Sequence, residues 1–140
     1  MAAIGKIIDS NPVVGGRTTN QILDTWKDGI FLKKEDITRN IKGLRSPQIG
    51  AVYAVLSHWE ISSDPATVVM PTGTGKTEVM LSLLIAATCS KTMIIVPTDA
   101  LRTQISNKVA SLGLLSNPQF GLIKETVLNC LLYTSDAADD

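Results

Sequence analysis

Met70-Pro71-Thr72-Gly73-Thr74-Gly75-Lys76-Thr77 decides the fold of this chain, because it sets a glycine turn and a lysine between a strand-like run and a helix-like run. Upstream, Thr67-Val68-Val69-Met70 is β-branched and apolar enough for a buried parallel strand; downstream, Glu78 to Cys89 reads as an almost wholly apolar helix. A turn in that setting is a phosphate cradle. Glycine at 73 and 75 permits backbone angles and a close approach that a Cβ would block, so successive N–H groups and the helix N-terminus can point at phosphate oxygens. Lys76 is placed for the β- and γ-phosphates of a nucleotide and Thr77 for Mg²⁺, while Pro71, Thr72 and Thr74 complete the loop. The general pattern G-x-x-x-x-G-K-[ST] asks for Gly where Met70 stands, so this chain departs from its first position and keeps its working end.

With Met70 in that place, Pro71 to Thr77 resembles motif I of superfamily 2 helicases and translocases more than the loops of kinases, GTPases or transporters. Two flanking segments extend the resemblance. Thr92-Met93-Ile94-Ile95-Val96 is a second buried-strand run, and the Pro97-Thr98-Asp99-Ala100-Leu101-Arg102-Thr103-Gln104 that follows is similar to motif Ia. Thr98 is a natural N-cap, and Leu101, Ile105, Val109 and Leu112 recur at helical spacing before Gly113 closes the segment. The resemblance implies that this helix start touches the sugar-phosphate backbone of a nucleic acid, through Thr98 and Arg102. Asp99 stands where DEAD-box proteins carry Arg, which points away from the DEAD box itself and suits the broader superfamily 2 class of DEAD/DEAH-type helicases and restriction-type translocases.

On the other flank, Leu44-Arg45-Ser46-Pro47-Gln48 resembles the Arg-x-x-Gln segment that precedes motif I in many of these motors. Ser46 can cap and Pro47 suits a first helical position; Ile49, Val52, Tyr53 and Leu56 would then share the packed face. A glutamine amide donates and accepts at once, which matches the N7 and N6 edge of adenine. The resemblance therefore implies that Gln48 selects ATP over GTP, with Arg45 supporting the same site. Phe31 lies in the region from which DEAD-box proteins stack an aromatic ring on adenine, although Phe in the run Ile30-Phe31-Leu32 also suits a core.

Cys130 to Asp140 matches, residue for residue, one reading frame of a transposon-end sequencing adapter, and is set apart as non-native. The whole chain balances 13 Lys+Arg against 13 Asp+Glu; without Asp136, Asp139 and Asp140 the acids fall to 10 and the net charge is +3. That mild basicity permits nucleic-acid contact. Without Cys130 only Cys89 remains, so no disulfide or cysteine-based metal framework is expected. A hydrophobic content of 44% supports a core. The apolar stretch between Glu78 and Lys91 is too short to cross a bilayer, and the N-terminus has no signal-like segment, so a cytoplasmic setting without a membrane partner is expected.

Residues 1–43 read as an N-terminal extension, with turns at Asn11-Pro12 and Gly15-Gly16 and a helix capped by Thr18 or Thr19 that runs through Ile22, Leu23 and Trp26 toward Gly29. Residues 44–129 read as the first half of a RecA-like ATP-binding domain, an α/β unit whose parallel strands at Thr67-Met70 and Thr92-Val96 are joined by the loop's helix in a right-handed crossover. The motifs that complete the Mg²⁺ site and supply arginine fingers in such motors are missing from the chain, so it is expected to bind ATP and Mg²⁺ without hydrolysing ATP by itself. Three classes stay open for the parent protein: an ATP-driven helicase or translocase acting on nucleic acid, DNA in preference to RNA; the motor subunit of a restriction or phage-defence nuclease; and a non-motor P-loop NTPase switch.

Overall fold

In the computed structural model the described residues are the backbone of Ala2–Lys6 and the whole of 16–128. The adapter-like segment from Cys130, and the turn expected at Asn11-Pro12, lie outside them. The elements in chain order are β1 (Ala2–Lys6), α1 (Thr19–Asp24), α2 (Ser46–Ile61), α3 (Lys76–Ala86), β2 (Thr92–Val96), α4 (Asp99–Ser111) and a 3₁₀ turn at Gly113–Ser116.

Local chemistry sets most of these boundaries. Thr18 caps α1 reciprocally: its hydroxyl accepts from the Gln21 N–H at 3.3 Å, and Gln21 Oε1 accepts from the Thr18 N–H at 2.9 Å. α2 starts one residue earlier than expected, with Arg45 in the N-cap position and Ser46 already helical. The Gln48 side chain at the third helical position reaches back to accept from the Arg45 N–H at 2.8 Å, as in the returning half of a capping box. At its far end, His58 Nε2 lies 2.9 Å from the Asp64 carbonyl, a contact that requires the proton on Nε2. α4 is capped as expected, the Thr98 hydroxyl accepting from the Leu101 N–H at 3.3 Å. Its exit differs. Leu112, not only Gly113, takes a left-handed conformation (φ 60°), and it does so because its side chain is buried in the core at that turn.

The principal core gathers Ile22, Leu23 and Trp26 from α1 and the turn after it, Leu44, then Leu81, Leu84 and Ile85 of α3, and Leu112, Leu115 and Leu122. Residues 16–43 thus share one core with the loop's helix. Trp26, 2% exposed, ties the far end of the chain to α1 by donating from Nε1 to the Leu128 carbonyl at 2.7 Å. A smaller cluster of Val52, Met70 and Val79 packs α2 against the loop and α3. On α2 the buried positions are Gln48, Val52 and Val55, while Tyr53 is half exposed, so the packed face is rotated away from the one that included Tyr53.

The sheet departs from expectation. Thr67-Met70 forms no strand, and the parallel pair with a right-handed crossover is not made. Instead β2 pairs antiparallel with β1, in a register running from Ala2 opposite Val96 to Lys6 opposite Thr92. The physical reason is lateral pairing: a run such as 67–70 becomes a strand only where a neighbour accepts and donates along its edge. Val69 is 90% exposed, and Met93 and Ile95 of β2 also face outward, so the side chains that read as sheet core lack covering layers among the described residues. Met70 alone of its run is buried, through the Val52 and Val79 cluster.

Candidate nucleotide-binding site

The turn at Met70–Lys76 is bent by two left-handed glycines, Gly73 (φ 79°) and Gly75 (φ 81°). Thr74 tightens it by donating its hydroxyl to the Pro71 carbonyl at 2.6 Å. Gly75 occupies the N-cap of α3 without any side-chain cap, which leaves the first-turn N–H groups directed out of the helix toward the cavity in front of the loop. A Cβ on Gly75 would collide with the Gln48 side-chain amide, whereas one on Gly73 would meet nothing within 4 Å. Glycine is therefore required twice over at 75 and for backbone angle alone at 73.

The start of α2 holds this turn. Arg45 Nη1 donates to the Gly73 carbonyl at 3.1 Å, and Gln48 Nε2 donates to the Gly75 carbonyl, also at 3.1 Å. Gln48 is 3% exposed, and with its Oε1 accepting from Arg45 the amide bridges the helix cap and the loop. One Nε2 hydrogen and one Oε1 lone pair remain for a ligand. Two segments separated in sequence are thus fixed on the same carbonyl row.

In front of them lies an open cavity of about 650 Å³, within the roughly 300–1,000 Å³ of small-molecule sites. Arg45, Gln48, Thr72, Gly73, Gly75, Lys76 and Thr77 line it. Pro71 and Thr74 do not; they shape the turn from behind. Lys76 is exposed and makes no ion pair among the described residues, so its charge is available to an anion. The opposite wall comes from residues that sequence reasoning did not select: Glu35, Gln104 and Lys108 on α4, and Leu114 and Phe120 beyond it. Gln104 and Lys108 lie one helical turn apart, a spacing that marks them as one face once α4 is recognised. Phe120 sits in a segment without periodicity, and nothing in the sequence points to it.

The electrostatics favour a polyanion. Arg45, Lys76 and Lys108 bring three positive charges to the cavity against Glu35 and Glu78. Glu78, in the first turn of α3 and buried, is held by Lys108 Nζ at 3.4 Å. A carboxylate in a first turn is also favoured by the helix dipole. A triphosphate fits this lining: an uncapped helix N-terminus, a loop without Cβ atoms at its two sharpest bends, and an unpaired lysine. For Mg²⁺ the loop offers the Thr77 hydroxyl; among the described residues no cluster of three or more His, Cys, Asp or Glu side chains gathers to hold a metal.

Other expected residues lie elsewhere. Thr98 and Arg102 sit together at the start of α4, outside the cavity, with Thr98 capping the helix and Arg102 Nη2 at 3.4 Å from Asp99 Oδ1. Phe31 is half exposed, with Lys124 Nζ 5.7 Å from its ring centroid, and does not line the cavity. A second, smaller cavity of about 270 Å³ beside Trp59, Val68, Met80 and Cys89 shares Lys76 with the first, but its surface is otherwise apolar and offers no loop N–H row for phosphate. Burial raises the Cys89 thiol above its ordinary pKa there.

No curated protein and no solved structure matches the chain. The family described as type III restriction enzyme, res subunit, matches residues 41–129, which spans α2, the glycine loop, α3, β2 and α4. That family is helicase-like and has the RecA-like P-loop fold. With well over half of its length matched, including every cavity-lining segment of the loop, the chain belongs to the family of type III restriction enzyme res subunits.

Proposed function

We propose that this chain binds Mg²⁺-ATP in the cavity in front of Gly73–Thr77, as part of the ATP-hydrolysing motor of a restriction-type translocase. The observation that carries the reading is the double clamp of Arg45 and Gln48 on the Gly73 and Gly75 carbonyls, which puts the adenine-reading candidate and the phosphate loop on one cavity. Loop N–H groups and Lys76 take the β- and γ-phosphates, and the Thr77 hydroxyl is the chain's ligand for Mg²⁺. The Mg²⁺ screens phosphate charge when bound. The spare N–H and lone pair of Gln48 meet N7 and N6 of adenine, and a guanine edge offers an acceptor where Gln48 needs a donor.

Thr98 and Arg102 contact the sugar-phosphate backbone of nucleic acid, DNA in preference to RNA, with nuclease or other defence-system subunits as partners of the parent protein. The family match favours this restriction-type motor over a free-standing helicase or a nucleotide switch. A cytoplasmic setting follows from that activity; among the described residues no helix is long and apolar enough to cross a membrane. Hydrolysis is assigned to the motor as a whole. Calorimetric titration with Mg²⁺-ATP and Mg²⁺-GTP tests the site: Lys76→Ala should weaken both, and Gln48→Ala should erase a preference for ATP. Unaltered binding in a folded Lys76→Ala chain would refute it.

A further inference from the structure

A nucleotide whose phosphates lie on Gly73–Thr77 and whose base meets Gln48 leaves a flat, apolar purine face to be covered. Gln48 reads an edge and contributes no stacking surface. Among the described residues lining the cavity, Phe120 is the single aromatic. The Phe120 N–H donates to the Asn117 carbonyl at 3.0 Å, which fixes its backbone, and two contacts restrain the ring: it packs on the core that includes Leu115 and Leu122, and Lys42 Nζ stands 5.5 Å from its centroid. Phe31 is half exposed and outside the cavity.

We propose that Phe120 is the base-stacking wall of this site, so that the turn after α4 rather than the segment before α2 supplies the aromatic surface for the purine. This rests on the nucleotide reading above. A ring so restrained loses little freedom on binding, and base–aromatic stacking tolerates either purine, so Phe120 sets affinity for a base while Gln48 chooses which one.

The test uses the full chain with Mg²⁺-ATP and with Mg²⁺-tripolyphosphate, which carries the phosphates and no base. Phe120→Leu should weaken Mg²⁺-ATP by about fivefold or more and leave Mg²⁺-tripolyphosphate unchanged, while Phe120→Tyr should bind ATP as the parent chain does. In a Phe31→Leu chain, where Phe120 is the remaining phenylalanine, adenine H2 and H8 should show nuclear Overhauser contacts to phenylalanine ring protons; this readout stands even if Phe120→Leu fails to fold. Equal ATP affinity in a folded Phe120→Leu chain, or contacts that reach only the ribose or vanish in Phe31→Leu, would overturn the proposal. Lys76→Ala separates the two claims: if it weakens both ligands while Phe120→Leu weakens neither, the nucleotide site stands and the stacking wall falls.

Discussion

Alanine at Gly75 and alanine at Gly73 look equivalent in sequence and should behave differently. Both glycines are left-handed, at φ 81° and 79°, so each alanine meets a backbone cost of about 1–2 kcal/mol. At Gly73 the added methyl enters open space, and that is the whole effect. At Gly75 it strikes the Gln48 amide and comes within 3.1 Å of Glu78 Oε2. Gln48 must withdraw; the Gly75 carbonyl keeps only the helical bond from the Val79 N–H, and the buried Gln48 amide loses its partner, for about 1–3 kcal/mol more. Gly75→Ala should therefore cost about 2–5 kcal/mol and Gly73→Ala about 1–2 kcal/mol, against a typical total of about 5–15 kcal/mol for a domain. A double-mutant cycle isolates the collision: in a Gln48→Ala background, Gly75→Ala should cost only the backbone term. Urea unfolding followed by far-ultraviolet circular dichroism gives all four values. Equal costs for the two single alanines, or additivity in the cycle, would refute the clamp as the reason Gly75 must be glycine.

Trp26→Phe should lose about 0.5–1.5 kcal/mol in the same assay, since Phe keeps most of the ring and drops the Nε1 hydrogen bond to Leu128. Asp36 should titrate below an ordinary aspartate, because the Thr38 hydroxyl and then the Arg39 N–H donate to its carboxylate. Its folded pKa is depressed, so its contribution to stability is present above the unfolded value and is lost as pH falls through the folded one; carbon-detected carboxyl titration checks the ordering, and an unshifted Asp36 would contradict it. Cys89 should form thiolate only at higher pH than a peptide cysteine, so iodoacetamide should label it slowly at pH 8 and rapidly in urea, as peptide mass mapping would show. Arg102→Ala in the parent protein should weaken binding of all nucleic-acid sequences alike and lower the salt dependence by about one phosphate's worth; sequence-selective loss would count against a backbone contact.

The site was legible where chemistry is local. Gly73, Gly75, Lys76 and Thr77 carry their geometry in their own φ preferences and charges, and Thr98 and Thr18 carry their caps. Gln48 was legible as a candidate, but its buried bridge to Gly75 was not, because a hydrogen bond across 27 positions leaves no periodic trace. The same holds for Glu78 with Lys108, where each partner taken alone reads as a solvated helix charge. Thr67-Met70 failed in the opposite direction: its β-branched composition fits a strand, yet ladder pairing depends on a neighbour, and β2 takes β1 instead. The contribution of Ile22, Leu23 and Trp26 to the same core as Leu81 and Ile85 was likewise invisible, since apolar spacing marks a face without naming what covers it.

Backbone amide mapping with Mg²⁺-ATP tests the central claim most directly. If the triphosphate lies on the loop and the base at Gln48 as proposed, the N–H resonances of Gly73 and of Gly75 to Thr77 should move together with the Gln48 side-chain amide, and the shifts should shrink in Lys76→Ala. Shifts confined to the apolar cavity beside Trp59, Met80 and Cys89, with the loop and Gln48 unmoved, would contradict the account.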